Sequence, residues 1–400
     1  MKPSRFLLVA LASAGAALAQ SQVTSSSFEQ ALESGKVSFN ARLRYEHVDQ
    51  AGLPEKANAL TLRSRLGYTT AAYRGFQFMA EAENVVALAD NYADGVTASP
   101  GYPVVGDPEV TEVNQAWASF ATGKTKGTLG RQRLVLDNAR FIGDVGWRQD
   151  MQTFDAFVLQ DATVERLSLT YAYLWRINRV FADALDWDSD SHVAHASYAG
   201  FPLGTLTGYA YLLDFDSPAG ARGSSTATYG ASFAGSTPLN DSVKFAYRAE
   251  YATQSDYRSS PLDYRAAYYV LELGGVWKTF SLSVGREVLG SDNGQGFRTP
   301  LATLHAFNGW ADVFLTTPAA GLRETYLKIA ASLPAKLQFI GSLHRFEADR
   351  GNATYGNEID LQLARRVNKR LNLTAKAALF DGKPGFADRD KYMVQADYAF

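Results

Sequence analysis

What most limits the fold of this chain is a two-residue alternation of apolar and polar side chains that recurs from end to end, with almost no long helical periodicity. In 37–48, Phe39, Ala41, Leu43 and Tyr45 share one face, while Asn40, Arg42, Arg44 and Glu46 share the other. In 60–72, Leu60, Leu62, Leu66 and Tyr68 oppose Arg63 and Arg65; in 164–178, Leu167, Leu169, Tyr171, Tyr173 and Trp175 oppose Arg166 and Arg176. In 241–254, Val243, Phe245, Tyr247 and Tyr251 oppose Lys244, Arg248 and Glu250. Successive side chains of a strand point to opposite faces, so each segment has one apolar and one polar wall.

The alternation predicts eighteen strands, at 37–48, 60–72, 75–87, 110–122, 126–137, 149–160, 164–178, 191–200, 204–215, 225–236, 241–254, 264–277, 279–290, 322–333, 336–348, 356–367, 370–380 and 390–400. Short connections alternate with long ones rich in Asp, Gly, Asn and Pro. A bilayer leaves no water to satisfy the backbone, so a sheet crosses it only by closing on itself. Tilted strands of ~9–11 residues suffice, with apolar side chains to lipid, polar ones to the lumen, short turns to the periplasm and long loops outside. The expected fold is therefore all-β: a single antiparallel transmembrane β-barrel. A soluble exported β-sandwich or β-helix is the competitor, but a sandwich must bury one face and would leave too many aromatic faces uncovered.

The start of the chain agrees. Lys2 and Arg5 precede an apolar run over 6–19 that ends Ala17-Leu18-Ala19, the pattern of a cleaved signal peptide. The run falls short of the ~20 residues of a helical span. Residues 1–19 are expected to be removed, 20–36 to form a short periplasmic segment and 37–400 the barrel, in the bacterial outer membrane. There is no cysteine, so neither disulfides nor lipid attachment at a new N-terminal Cys arises. A net charge of -2 suggests no nucleic-acid partner. The expected partners are the bilayer with its lipopolysaccharide, and the insertion machinery that reads a C-terminal aromatic strand, here ending at Phe400.

The lumen charges have two readings. Arg42 and Arg44 lie on one strand and Arg63 and Arg65 on its neighbour; Arg131, Arg133, Arg166, Arg176, Lys244 and Arg248 continue the series, beside acids such as Glu46, Glu81, Glu83, Glu112, Glu250, Glu272 and Asp360. Such charges pair across strands and keep a wall solvated. Alternatively, they form an arginine track for carboxylates, which planar guanidinium groups bind with paired hydrogen bonds. Loops 88–109 and 291–321 are the longest and are expected to cover the mouth.

Catalytic and metal signals are weak. HVAH (192–195) lacks the Glu of a zinc protease motif and, on a strand, directs its two histidines to opposite faces. DWDSDSH (186–192) starts like a calcium loop but has Ser191 and Ser197 where Gly and a bidentate Glu belong. No G-x-S-x-G is present. No cofactor is expected. A barrel hydrolase would need Ser and His adjacent at the lipid-facing rim.

The run GRQRLVLDNARFIGDVGWRQDMQTFDAF (130–157) resembles a segment of the alginate export porin family, and FNGWADVFLTTPAAGLRETY (307–326) is similar to a second. LRYEHVDQ (43–50) and LTLRSRLGY (60–68) resemble that family's N-terminal strands. The resemblance implies an eighteen-stranded barrel with a positively charged constriction for an anionic polysaccharide; the matching positions are Arg131, Arg133, Asp137, Asn138, Arg140, Trp147, Arg148 and Asp155. The combined expectation is a passive pore for anionic saccharides, alginate-like or otherwise rich in uronate. A general or neutral-sugar uptake porin, a barrel hydrolase and an adhesin are the alternatives.

Overall fold

Along the strands of the computed structural model, which describes residues 25–400, apolar side chains are exposed and charged ones buried. Leu66 is 58% exposed while its neighbour Arg65 is 7% exposed. That inversion is the mark of a wall with lipid outside and a packed polar interior. The signal peptide expected at 1–19 lies outside the described residues.

Eighteen strands form the wall. The first six are β1 (Lys36–Gln50), β2 (Ala57–Thr69), β3 (Phe76–Asn91), β4 (Val110–Thr122), β5 (Thr125–Gln132) and β6 (Thr153–Asp161). Next come β7 (Leu167–Asn178), β8 (Trp187–Phe201), β9 (Gly204–Leu213), β10 (Thr226–Pro238), β11 (Lys244–Asp256) and β12 (Arg265–Val276). The last six are β13 (Phe280–Leu289), β14 (Leu322–Leu333), β15 (Leu337–Glu347), β16 (Thr354–Arg366), β17 (Leu371–Gly382) and β18 (Arg389–Ala399). Each pairs antiparallel with its neighbours in the chain, and β1 pairs with β18 from Asn40↔Ala399 to Gln50↔Arg389, closing the cylinder. At the seam Phe39 and Phe400 exchange backbone hydrogen bonds of 3.2 and 3.0 Å, and their rings lie 5.7 Å apart. Closure removes the unpaired edge that hydrocarbon would not tolerate.

Ahead of β1, the short helix α1 (Phe28–Glu33) starts at Ser27, whose side chain accepts from the Gln30 N–H at 3.1 Å. It rests against the turn after β2, where the Ala71 N–H donates to the Ala31 carbonyl at 2.9 Å.

The strand count agrees with the sequence expectation; several boundaries do not. The strand expected over 126–137 stops at Gln132, and that expected over 149–160 starts at Thr153. The intervening 133–152 is one loop, although Leu134 and Leu136 alternate like strand residues. Their apolar side chains are buried inside the barrel, a local pattern that cannot be told from a lipid-facing one. The strand expected from 164 begins at Leu167, because Arg166 takes a left-handed turn (φ 63°). At the outer end, β8 begins at Trp187 and absorbs the acidic stretch expected as loop.

The loop over 133–152 and the loop over 290–321 both enter the lumen and join each other. The Gly143 N–H donates to the Leu301 carbonyl at 2.8 Å, and the Thr303 N–H to the Ala139 carbonyl at 3.0 Å. Phe141 and Phe297 pack among Tyr209, Tyr211 and Tyr268, while Phe314 packs on Phe346, Tyr355, Phe380 and Phe386. Loop 92–109 also contributes, with Tyr92, Val105 and Asp107 buried.

Candidate solute pathway

The arginines of β1 and β2 face inward, and Arg42 lies directly opposite Arg63 in register. Like charges so placed repel and need compensation. Part comes from acids: Arg42 Nε bonds Asp397 at 2.7 Å, Arg65 pairs with Glu83, and Arg44 meets Asp107 at 3.3 Å. The rest comes from the backbone of the first inward loop. Arg42 Nη1 donates to the carbonyls of Gly146, Trp147 and Arg148 at 3.0, 3.0 and 3.2 Å. Arg44 also donates to the Trp147 carbonyl, and Arg63 and Arg65 donate to that of Gln149 at 3.4 and 3.1 Å. Four wall arginines therefore hold four successive loop carbonyls.

A second set of contacts ties the two loops to the wall. Arg148 reaches Glu46 at 3.4 Å and Asp312 at 3.1 Å, and Lys391 bridges the same acids at 3.1 and 2.6 Å. Lys376 lies between Trp147 and Trp310, with Nζ 4.1 and 3.8 Å from the two rings, a cation–π clasp on one tryptophan from each loop. Its ammonium donates to His305 Nε2 at 2.7 Å, while His305 Nδ1 lies 2.8 Å from Asp312. Burial, and secondarily the nearby lysines, push His305 down to about 3 against the pull of Asp312. The ring is thus neutral, accepting at Nε2 and donating at Nδ1.

Farther across the lumen, Arg140 is buried and bonds Glu287 at 2.9 and 3.1 Å and Asn308 at 3.0 Å. Asp137 meets His195 at 2.9 Å, and Arg248 bonds both Glu250 and the Asn138 side chain. These residues anchor the loop to the far wall.

Other residues of the expected series lie elsewhere. Arg131 and Arg176 are in register with Asp155, on the face that Phe157 exposes, so β5, β6 and β7 turn them outward near the rim. There Arg131 pairs with Asp155 at 2.9 Å and Arg176 with Asp186 at 3.0 Å. Arg133 opens the inward loop and pairs with Asp144. Arg166 sits in an exposed periplasmic turn, 3.4 Å from Glu165, and Lys244 is exposed at the periplasmic start of β11. The lumen assignment of Arg131, Arg166 and Arg176 is corrected on these grounds: Arg131 shares the face of exposed Leu129, Arg166 lies in a turn outside the strand, and a register slip at Trp175 reverses the parity used to place Arg176.

At the outer end the loops leave a cavity of about 570 Å³. Its charged lining is Arg148, Arg179, Arg389 and Lys391 with the one acid Asp312, and Tyr102, Val104, Phe181, Pro300, Leu304 and Leu315 give it apolar walls. Arg179 stacks over Trp187 at 4.0 Å and donates to the Pro300 carbonyl at 2.9 Å. Burial lowers Arg179 to about 10, which leaves it cationic at neutral pH. Arg389 donates to the Ala311 and Asp312 carbonyls at 3.1 and 3.0 Å and to Gln50 at 2.7 Å. Among the described residues neither guanidinium has a carboxylate within ion-pair distance. Lys391 was legible in the polar parity of KYMVQADYAF; Arg179 and Arg389 come to line one cavity only through the loops.

Among the described residues no serine hydroxyl is hydrogen-bonded to a histidine, and no group of side chains has the arrangement of a metal site. His192 faces outward against Tyr171 at 2.8 Å, and His195 faces the lumen.

No protein-family model matches the chain, and no curated protein does. The resemblance to alginate exporters is therefore carried by the segments at 43–50, 60–68, 130–157 and 307–326 alone. Solved structures do match. OccAB2 of Acinetobacter baumannii superposes with a TM-score of 0.73 at 15% identity, over 93% of this chain and 99% of that one. OccK9 (OpdG) of Pseudomonas aeruginosa gives 0.74 at 14%, over 93% and 100%. OpdK of Pseudomonas aeruginosa, solved with vanillate, gives 0.72 at 14%, over 92% and 99%. The chain has the closed eighteen-stranded fold of the Occ/Opd outer-membrane porins. That fold and the lipid-facing belt make it an outer-membrane barrel.

Proposed function

We propose that the protein is a selective porin for small carboxylated solutes, sugar acids and short oligouronates among them, captured at the outer cavity. The observation that carries this reading is the pair of guanidiniums without a carboxylate at ion-pair distance, Arg179 and Arg389, in a cavity that Arg148 and Lys391 also line, those two being paired with Asp312. A planar guanidinium favours carboxylate over halide because it offers two parallel donors. The apolar walls suit a compact organic body. A long polymer is disfavoured, since the inward loops leave about 570 Å³ at the mouth. Vanillate, the aromatic carboxylate found with OpdK, belongs to the same chemical class. Weak, successive cationic sites admit a solute and also release it.

A specific observation favours the broader reading of a general porin: Arg42, Arg44, Arg63 and Arg65 are already engaged by acids and loop carbonyls.

The test is reversal potential under a KCl gradient in planar bilayers, with vanillate, galacturonate and oligouronate as blockers. Anion preference with carboxylate block in the micromolar-to-millimolar range is expected. Arg179→Ala/Arg389→Ala should weaken block by roughly tenfold or more, the equivalent of one or two charged hydrogen bonds of about 1.5–3 kcal/mol each. An unselective pore indifferent to all three would return the general porin.

A further inference from the structure

The periplasmic end of the wall carries its charge very unevenly. Lys336 lies in the turn after β14, and Arg365, Arg366, Lys369 and Arg370 surround the turn between β16 and β17. All are exposed, and among the described residues none has a carboxylate within ion-pair distance. No Asp or Glu occurs between Asp360 and Asp381, or between Glu324 and Glu347. The other periplasmic turns carry one or two charges or none. Five clustered cations in a chain of net charge -2 are not a general surface property.

Register brings them together. Leu337 faces Arg365 across β15 and β16, and Arg365 faces Leu373 across β16 and β17, so Lys336 and Arg365 are near neighbours at one height. Adjacent strands lie about 4.8 Å apart, so the basic patch is only a few strands wide. Arg366 is turned down onto the turn, donating to the Asn368 and Lys369 carbonyls at 3.3 Å each. Arg370 lies over the Phe400 ring at 5.8 Å and reaches the Tyr398 hydroxyl at 3.4 Å.

Directly above this patch, on the lipid-facing side, the wall is hollowed into a groove of about 350 Å³. Leu363, Leu373, Val394 and Leu43 stand as ridges, and Ala375 and Ala396 form the floor between them. Arg365 lines its lower end. An apolar trough for chain-like hydrocarbon thus ends in unpaired cations at the level of the periplasmic headgroups.

We propose that this surface is a binding site for one anionic glycerophospholipid of the periplasmic leaflet. An acyl chain occupies the groove and the phosphate meets Arg365, Lys336 and the basic turn. The inference is independent of which solute passes through the lumen; it requires only the membrane placement. Basic clusters at a bilayer surface attract anionic headgroups additively, and the contribution falls off within a Debye length. A zwitterionic headgroup brings its own ammonium and gains less.

The test is native mass spectrometry of the delipidated full barrel titrated with phosphatidylglycerol or phosphatidylethanolamine, with inorganic phosphate and poly-glutamate as competitors. One phosphatidylglycerol should be retained, roughly tenfold more tightly than phosphatidylethanolamine. Arg365→Gln/Arg366→Gln/Lys369→Gln/Arg370→Gln should abolish that preference while leaving heat-modifiability and channel conductance unchanged. Ala375→Trp, which fills the groove with the cations intact, should weaken retention of both lipids. Equal retention of the two lipids, or a preference that survives the quadruple substitution, overturns the proposal. So does displacement by inorganic phosphate or poly-glutamate as effective as by lipid, since the site would then be a soluble-anion or acidic-protein surface.

Discussion

Arg140→Met is expected to destabilise the barrel by about 3–5 kcal/mol, because it leaves the Glu287 carboxylate buried without its cation. Arg140 is 1% exposed and holds both Glu287 oxygens. It also holds Asn308, so one side chain ties the first inward loop to the β13 wall and to the second loop. Unfolding in urea from lipid vesicles, followed by tryptophan fluorescence, measures the loss. Arg140→Met/Glu287→Gln should recover most of it, since removing both charges is often near neutral. If the single substitution costs under about 1 kcal/mol, the pair is hydrated and does not anchor the loop.

The second large effect concerns Arg42, Arg44, Arg63 and Arg65. Their guanidiniums hold the carbonyls of residues 146–149, with individual charged hydrogen bonds contributing about 1.5–3 kcal/mol. Arg42→Ala/Arg44→Ala/Arg63→Ala/Arg65→Ala is therefore expected to free the first inward loop. Single-channel conductance should rise several-fold with frequent transitions between levels, in addition to a loss of anion preference. Were the arginines only a solute track, selectivity would fall at constant, quiet conductance. The two patterns are separable in one recording. A double substitution of Trp147 and Trp310 by Ala, which opens the Lys376 clasp without altering wall charge, should reproduce the noise and keep the anion preference.

The two outcomes bear on how this barrel reconciles a cationic wall with stability. Four inward arginines on two adjacent strands repel, and acids on β3 and β18 offset part of that. The backbone of 146–149 supplies further partial negative charge without adding titratable groups. The guanidiniums of Arg179 and Arg389, by contrast, bond carbonyl and amide oxygens but no acid, and they line the outer cavity. The arginines deep inside are thus held by acids and loop carbonyls, whereas those at the outer cavity are held by oxygen acceptors without an ion pair.

The sequence by itself determined the wall. The parity of Leu60, Leu62 and Leu66 against Arg63 and Arg65 implies lipid on one side and a polar interior on the other. The same period, repeated with alternating short and long turns, yields the strand number, because backbone pairing in hydrocarbon permits little else. It also placed Arg42, Arg44, Arg63 and Arg65 on one patch of lumen, since antiparallel neighbours in register share a face.

What the lumen contains was decided only by the tertiary structure. Leu134 and Leu136 alternate like strand residues, yet they face the interior of a filled barrel, because an apolar side chain is satisfied equally by lipid and by Phe-rich loop packing. The register slip at Trp175 that turns Arg176 outward leaves no local signature in the residue types around it. The cavity is assembled from β1, β18 and loops distant in sequence, so the meeting of Arg179 with Arg389 depends on where those loops fold. Strand parity is a property of adjacent residues and survives in the sequence; loop docking is a long-range packing solution and does not.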